Sequence, residues 1–462
     1  MYFEEDLMSE QLLNLDFNEF ITKINTKYIG KNSKISTKVR QKGNQLYIRK
    51  SHNAEIHKEI FNLYSMSVTF AIDASEELAL AYGNRSAFLL HLGKYKESLE
   101  DLDKALNITM SNILKVKLYC RRVECLILLG LSDILDCNKV NVVSKKEDKK
   151  NPLIEKLLEK EKDIFSNIDI NYSEKYGRYL VTTKEYKPGQ IIYVETPYVA
   201  CSNNKNPYIY CCHCLAIAWA GIPCKYCNWC IFCSVKCRVE AWKTYHNIEC
   251  SVFPYIKKFS KNFVQSFQLS VKVMLMGMKE FDTIDKFKSE IEYIDKYNDK
   301  RTKGFLNDEV FVNTKFRSIY SLSNNISKQQ FKTNVQNTAI ALACIIKYTS
   351  FFKFNFVTNQ ELKSLIKNSE VVFIGTLLLK LINITCNNRH IIFNSLQACN
   401  KNSQPLRCAI AQCCSKGICL APVSSLINNS CIPNVKRCFT EDHKIIIYAV
   451  ETIPQNSQVN IK

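Results

Sequence analysis

The sequence predicts an α+β chain in which helices come first and a twice-interrupted, β-rich region follows. Three observations predict it. Apolar residues recur every three to four positions up to about residue 165. Strand-like alternation then begins near Tyr179 and returns at 419–427 and 444–450. Between those strand signals lie a cysteine cluster at 211–250 and a helical stretch at 252–390. The expected organisation is therefore a helical region 1–165 and a split β-rich domain 166–462, whose terminal strands pair at long range.

Within the first region, the clearest stretch runs from Leu80 to Tyr95, broken by Gly93-Lys94-Tyr95, and continues through Ser98, Leu102 and Ala105. A weaker copy follows 37 residues later, with Arg122 answering Arg85, Cys125 answering Phe88 and Gly130 answering Gly93. A looser first unit runs from Lys42 to about Ala71. The pattern resembles tetratricopeptide (TPR) repeats; a plain helical bundle is the alternative. Such repeats imply a concave surface for a peptide partner. The charged run at 144–151 reads as a linker. After it, 179–183, the Pro188-Gly189 turn and 191–194 read as a small β-hairpin.

The chain has 462 residues, 46% apolar and 23% charged, enough for two to four cored domains. Only 12 Gly and 10 Pro argue against long disordered linkers. A net charge of +19 invites an acidic partner, but the lysines form no dense arm or aromatic-interleaved stripe, so nucleic acid is not expected as the main partner. The acidic start, Met1 to Asp6, is no signal peptide, and the most apolar run, 371–386, is broken by Lys380 and Asn383. We therefore expect no membrane segment, reduced thiols, a location in cytoplasm and nucleus, and a monomer.

Ten of the 22 cysteines lie between Cys201 and Cys250. They include four ligand-type pairs: Cys211/Cys214, Cys224/Cys227, Cys233/Cys237 and His246/Cys250. C-x2-C steps let two thiolates converge on one ion, and i, i+4 spacing puts two side chains on one helix face. Eight such donors fit two tetrahedral Zn2+ sites; a disulfide framework is the alternative. With Ala241-Trp242 before the histidine, the spacing resembles the MYND zinc finger. That resemblance implies that the first and third pairs share one zinc and the second and fourth the other. It also implies a groove for proline-containing peptides. Cys212, His213 and Cys230 fall outside the pattern.

Three further pieces bracket the finger. They are Tyr176-Gly177-Arg178-Tyr179-Leu180 with Glu195-x-Pro197, then Asn428-Asn429-Ser430-Cys431-x-Pro433-Asn434, then 449–459. In this order they resemble a SET domain, and the whole resembles the SET-and-MYND-domain (SMYD) protein-lysine methyltransferases with N-terminal repeats. Asn429 replaces the usual His, and Asn456-Ser457-Gln458 replaces Gly-Glu-Glu. The resemblance implies methyl transfer from S-adenosylmethionine to a protein lysine, by alignment of a neutral amine in a dry channel. It implies cofactor contacts from the backbone at Tyr176, Gly177 and Arg178, from Asn428 at the amino-acid end, from Asn429 through its main chain, and from Asn394. Tyr320 and Asn325 are further candidates for the adenine pocket.

No catalytic residue is assigned, because in the family the catalytic tyrosine and a post-SET cysteine group matching Cys431 fall beyond the position of Lys462. Cys408, Cys413, Cys414 and Cys419 have no ligand spacing and read as reduced thiols. Two readings follow. The chain is part of a methyltransferase, or it is a non-catalytic adaptor acting through repeats and finger.

Overall fold

The structure, a computed structural model, describes residues 2–16, 18–19, 30–49, 54–130, 164–202, 207–257, 261–393, 415–440 and 442–462. The expected linker at 144–151 lies outside them, as do Asn394, Cys408, Cys413 and Cys414.

Helix α1 (Tyr2–Asn14) stands apart from the helices that follow it. Its buried Met8 and Leu12 join the main core, against helices much later in the chain. The next five, α2 (Ser33–Ile48), α3 (Ala54–Phe70), α4 (Glu76–His91), α5 (Tyr95–Ile108) and α6 (Asn112–Leu128), pack against one another in chain order. Alternate helices start on a side-chain cap: Asn32, Ser75 and Ser111 accept from the backbone N–H three residues on. Gly93 and Gly130 end α4 and α6 at φ +68° and +70°, so the 37-residue spacing of the sequence is a spacing of equivalent helix ends. The residues that follow Gly130, up to 163, lie outside the described residues.

The helices do not stand free of the cysteine cluster. Arg85 and Asp101 form an ion pair at 2.7 Å with both side chains 0% exposed. Arg85 Nη2 also donates to the Gly221 carbonyl at 2.6 Å, and Lys104 Nζ donates to that of Ala220. An aromatic layer of Phe61, Tyr64, Phe88, Tyr210 and Trp219 fills the seam.

The β region holds short strands. β1 (Ile168–Ser173) pairs with β2 (Gly177–Thr182). β3 (Ile191–Glu195) is an edge of the sheet whose centre is β13 (Ile445–Ala449) and whose other edge is β12 (Val435–Phe439). β4 (Val199–Ser202), β10 (Gly417–Leu420) and β9 (His390–Ile392) form a third sheet, and β11 (Asn428–Asn429) lies parallel to β14 (Asn460–Ile461). The expected pairing of the terminal strands is thus present, with Glu195 opposite Ile445.

The expected hairpin of 179–183 with 191–194 is not present. β2 instead turns back on β1 through Glu174–Tyr176, and β3 finds its partner some 250 residues later. Alternation identifies a strand but not its neighbour, because pairing is decided by which faces the whole fold buries. The strand signal at 419–427 is also shorter than expected: β10 stops at Leu420 and Ser424–Leu426 is a 3-10 turn.

Within the cysteine cluster, β5 (Ile222–Pro223) and β6 (Ile231–Phe232) make a small hairpin, followed by α7 (Val235–Ala241), a π-turn Trp242–His246 and α8 (Asn247–Ile256). The helical stretch supplies α9 (Lys261–Glu280), α10 (Ile284–Lys296), α11 (Phe316–Tyr320), α12 (Lys328–Tyr348), α13 (Asn359–Ser364) and α14 (Ser369–Asn388), with a short hairpin of β7 (Leu306–Asn307) and β8 (Val310–Phe311). By length and composition α14 is apolar enough to cross a bilayer, yet 72% of that stretch is buried among α1, α9 and α12. It is the central helix of the main core.

Candidate functional site

Two donor clusters form inside the cysteine cluster. Cys211, Cys214, Cys233 and Cys237 make one, and Cys224, Cys227, His246 and Cys250 the other, with the ligand atoms of each within 4.8 Å of one another. Cys214 and Cys237 both lie 3.5 Å from Cys233, Sγ to Sγ; Cys224 lies 3.9 Å from Cys250, and Cys227 Sγ is 3.6 Å from His246 Nε2. Two thiolates on one tetrahedral zinc, each bound at about 2.3 Å, would sit about 3.8 Å apart. The donor sets, four sulfurs and three sulfurs with one nitrogen, therefore fit that ion in type, number and separation.

Local structure explains the convergence. Cys211 accepts from His213 N and Cys224 from Tyr226 N, which folds each C-x2-C into a knuckle. Cys233 is not on a helix as its spacing suggested. It precedes the cap Ser234, which accepts from Cys237 N at the first turn of α7. His246 closes the π-turn and Cys250 follows on α8. Because Nε2 faces the sulfurs, His246 presents Nδ1 to the buried Glu249 carboxylate at 3.8 Å, an outer-sphere partner that orients the ring. The remaining residues of the cluster have other neighbours. His213 Nδ1 meets Tyr245 OH at 3.1 Å, Cys212 meets Ser202, and Cys230 lies 3.9 Å from His246 Nδ1.

The second feature is a cavity of about 730 Å³ where the strand pairs and the helical stretch meet, within the usual range for ligand sites. Tyr176, Gly177, Arg178, Asn325, Asn428 and Asn429 all line it. Gly177 opens β2 at φ +67°, with nothing within 4 Å of where a Cβ would sit. The backbone conformation, rather than crowding, is what demands glycine there. Arg178 faces away from solvent: its guanidinium donates to the carbonyls of Lys303 and Ser321 and lies over the Phe305 ring. Burial lowers its pKa to about 10, and the side chain ties the Gly177 turn to the helical stretch. Asn428 Nδ2 is buried with no hydrogen-bond partner among the described residues, an orphan donor in the wall of a cavity.

Tyr320 does not reach this cavity. Its hydroxyl donates to Asp295 at 3.1 Å and Lys380 covers its ring. Cys419 is buried in β10, its thiol pushed up by burial, and Cys431 is exposed. Among the lining residues not found from the sequence are Asn388, His390, Ser425 and Arg437. Ser425 carried a signal, standing three residues before Asn428. The other three are single polar residues whose neighbours are set only by the fold. Arg437 Nη1 donates to His390 Nδ1 at 2.9 Å, and His390 Nε2 meets Ser425 Oγ at 3.1 Å. Guanidinium has no acceptor, so Nδ1 must carry the lone pair and Nε2 the proton. Burial first, and the Arg437 charge second, hold the His390 pKa down at about 3.

Comparison with known proteins gives the same picture. The SET domain family matches residues 177–462. Protein-lysine N-methyltransferase SMYD4 of Mus musculus is 24% identical over 94% of this chain and 64% of its own length. The protein of that name from Gallus gallus is 23% identical over 87% of this chain and 65% of its own. Histone-lysine N-methyltransferase ASHR1 of Arabidopsis thaliana is 21% identical over 62% of this chain and 47% of its own. The chain thus spans less than two thirds of each of these relatives.

Proposed function

The chain belongs to the SET-domain family, among its SET-and-MYND members, and from that premise we propose that it binds S-adenosylmethionine in the cavity beside Gly177 and serves the methylation of a protein lysine. The observation that carries the proposal is the orphan amide of Asn428. A buried donor without a partner is worth about 1–3 kcal/mol of desolvation, and it stands where the resemblance puts the amino-acid end of the cofactor. Bound there, the cofactor supplies an electrophilic methyl group. The chain's own residues supply position. Gly177 lets the main chain approach, Arg178 fixes that turn to the helical stretch, and Asn428 donates from the cavity wall. The backbone of β11, held parallel to β14, presents the main chain of Asn429. Asn325 closes the cavity from the helical stretch. Asn394, outside the described residues, belongs to the same proposed set.

The two cysteine clusters are proposed as closed zinc sites. All eight donors come from the protein, so neither ion would keep a position for substrate. Their role is to hold the finger.

A second reading, an adaptor, has its own support. The rings of Tyr226 and Trp242 meet at 4.8 Å between centroids, tilted by 32°, and are 62% and 37% exposed; Val235 and Val239 of α7 are exposed too. An apolar surface of this kind on a zinc finger suits a short peptide ligand. The finger's opposite side, around Tyr210 and Trp219, is already covered by α3 and α4.

Calorimetric titration with S-adenosylmethionine tests the first reading on the zinc-loaded chain. Binding is expected, weakened about tenfold or more by Asn428→Ala, as loss of a hydrogen bond to a charged group implies. No heat up to millimolar ligand would leave the adaptor reading standing.

A further inference from the structure

The cofactor cavity is rich in positive charge. Lys175, Arg178, Arg389, Arg437 and Lys462 line it against a single acid, Glu174. Most of these cations are engaged elsewhere. Arg178 is bound to two carbonyls of the helical stretch. Lys175 lies over the Tyr176 ring and Arg389 donates to Ser266. Glu174 pairs with Lys300 at the surface. Lys462 is exposed.

Arg437 differs from them all. It lies on β12, half-buried, opposite Ile447 of the central strand. Its one hydrogen-bond partner among the described residues is His390, which accepts on Nδ1 and is therefore neutral. The other ionisable groups facing it, Tyr193 of β3 and Cys419 of β10, are both kept protonated by burial. The buried carboxylate of Glu195 is turned to Val423 and Ser424. A guanidinium is thus held in place at a cavity wall by a neutral ring, with no counter-charge within the described residues. A partly desolvated cation in that position lacks its favourable partner, and a planar guanidinium matches a carboxylate in charge and shape.

We propose that Arg437, oriented by His390, is the carboxylate receptor of this cavity, so that the ligand is required to carry an α-carboxylate group. This rests on the cofactor reading above and deepens it. S-adenosylmethionine carries one carboxylate, its only anionic group, on the end assigned to Asn428. The uncharged amide of Asn428 and the charge of Arg437 would then share that end, the first giving direction and the second most of the attraction. His390 is a positioning residue: its Nε2–H is tied to Ser425, whose hydroxyl also reaches the Ala421 and Asn388 carbonyls. The guanidinium is thereby referenced to the turn that precedes Asn428.

The test is a binding cycle by calorimetry on the zinc-loaded full chain. The two ligands are S-adenosylmethionine and its decarboxylated form, which lacks only the carboxylate. The wild-type chain is expected to prefer the intact ligand by about tenfold or more, since a charge-assisted pair is worth about 1.5–3 kcal/mol. In Arg437→Met that preference is expected to fall below about threefold while the affinity for the decarboxylated form stays put, and Arg437→Lys is expected to restore part of it. The proposal is overturned if Arg437→Met keeps the preference, or if it weakens both ligands equally, as a merely structural arginine would. Should the methionine variant not fold, the lysine variant decides: an unchanged preference with shortened reach overturns the proposal, and a reduced one supports it. A wild-type chain that binds neither ligand defeats the cofactor reading itself. One that binds both equally defeats only the role of Arg437.

Discussion

Glu195 Oε2 accepts a hydrogen bond from Ser424 Oγ at 2.6 Å, across 229 residues of chain. The same carboxylate accepts from the backbone N–H groups of Val423 and Ser424, both at 2.8 Å, and is fully buried. It joins the last residue of β3, just ahead of the finger, to the 3-10 turn that lines the cavity. One side chain thus adds to the β3–β13 and β4–β10 ladders that join the two halves of an interrupted domain.

That side chain predicts a pH dependence. Burial raises the Glu195 pKa from 4.5 to about 7, against the pull of its three donors. A raised folded pKa means that the folded state holds the proton more tightly. The stabilisation is therefore fully present below about pH 4.5 and lost as the pH rises through 7, by roughly 3 kcal/mol in all. Glu195→Gln does not titrate, and its amide NH2 would face a backbone N–H. The variant is expected to be less stable by about 1–3 kcal/mol at pH 5.5, with the gap narrowing towards pH 8. Urea midpoints of both proteins at the two pH values measure this; a gap independent of pH would refute it.

How far the sequence carried is visible in these same residues. The candidate metal ligands were legible because their spacing is local: the knuckle and the first helical turn are set within a few residues. The strands were legible as strands, yet β3 was given the wrong partner, since nothing near Ile191 points to Ile445. Gly177 and Asn428 were found through motifs, whereas Arg437 and His390 lie 47 residues apart and meet only through the packing of two sheets. The docking of α1 onto α14 left no sign in the sequence either. The spacing of Met8 and Leu12 puts them on one helix face but does not say what covers them.

The finger predicts its own assay. All three tryptophans, Trp219, Trp229 and Trp242, lie within it. Trp229 stacks on Phe253 at 3.9 Å and stands 5.2 Å from the His246 ring. Native mass spectrometry is expected to find two zinc ions per chain. Their removal by chelator should change the tryptophan emission, because structural zinc contributes folding energy directly. Cys224→Ser is expected to lose one ion and keep the other. Disulfides in place of metal would sink this account.

Gly177 separates backbone strain from ligand contact. Alanine has room there, so its cost in stability is the left-handed conformation alone, about 1–2 kcal/mol. If the cofactor's approach to this turn is as close as proposed, the added methyl also weakens binding of S-adenosylmethionine by more than the stability loss accounts for. Thermal melts and titration of Gly177→Ala together check it. A normal affinity in a mildly destabilised protein would move the cofactor away from this turn.

The last prediction concerns the seam between helices and finger. Arg85 bonds Asp101 through Nε and Nη2, and Nη2 also donates to the Gly221 carbonyl. Removing Asp101 leaves the buried Arg85 without its carboxylate, a loss of about 3–5 kcal/mol, whereas removing Arg85 still leaves Asp101 paired with Lys104 at 3.4 Å. Asp101→Asn is expected to fall in that range, and to loosen the Ala218–Ile222 loop as well as the helices. Replacing both residues by apolar ones of similar size should be far less harmful to the helices, since a buried ion pair gains little over good packing. It would still free the Gly221 carbonyl. Hydrogen exchange of the loop in the double variant distinguishes the two effects: protection retained there would mean that the aromatic layer around Trp219, not Arg85, holds the finger to the helices.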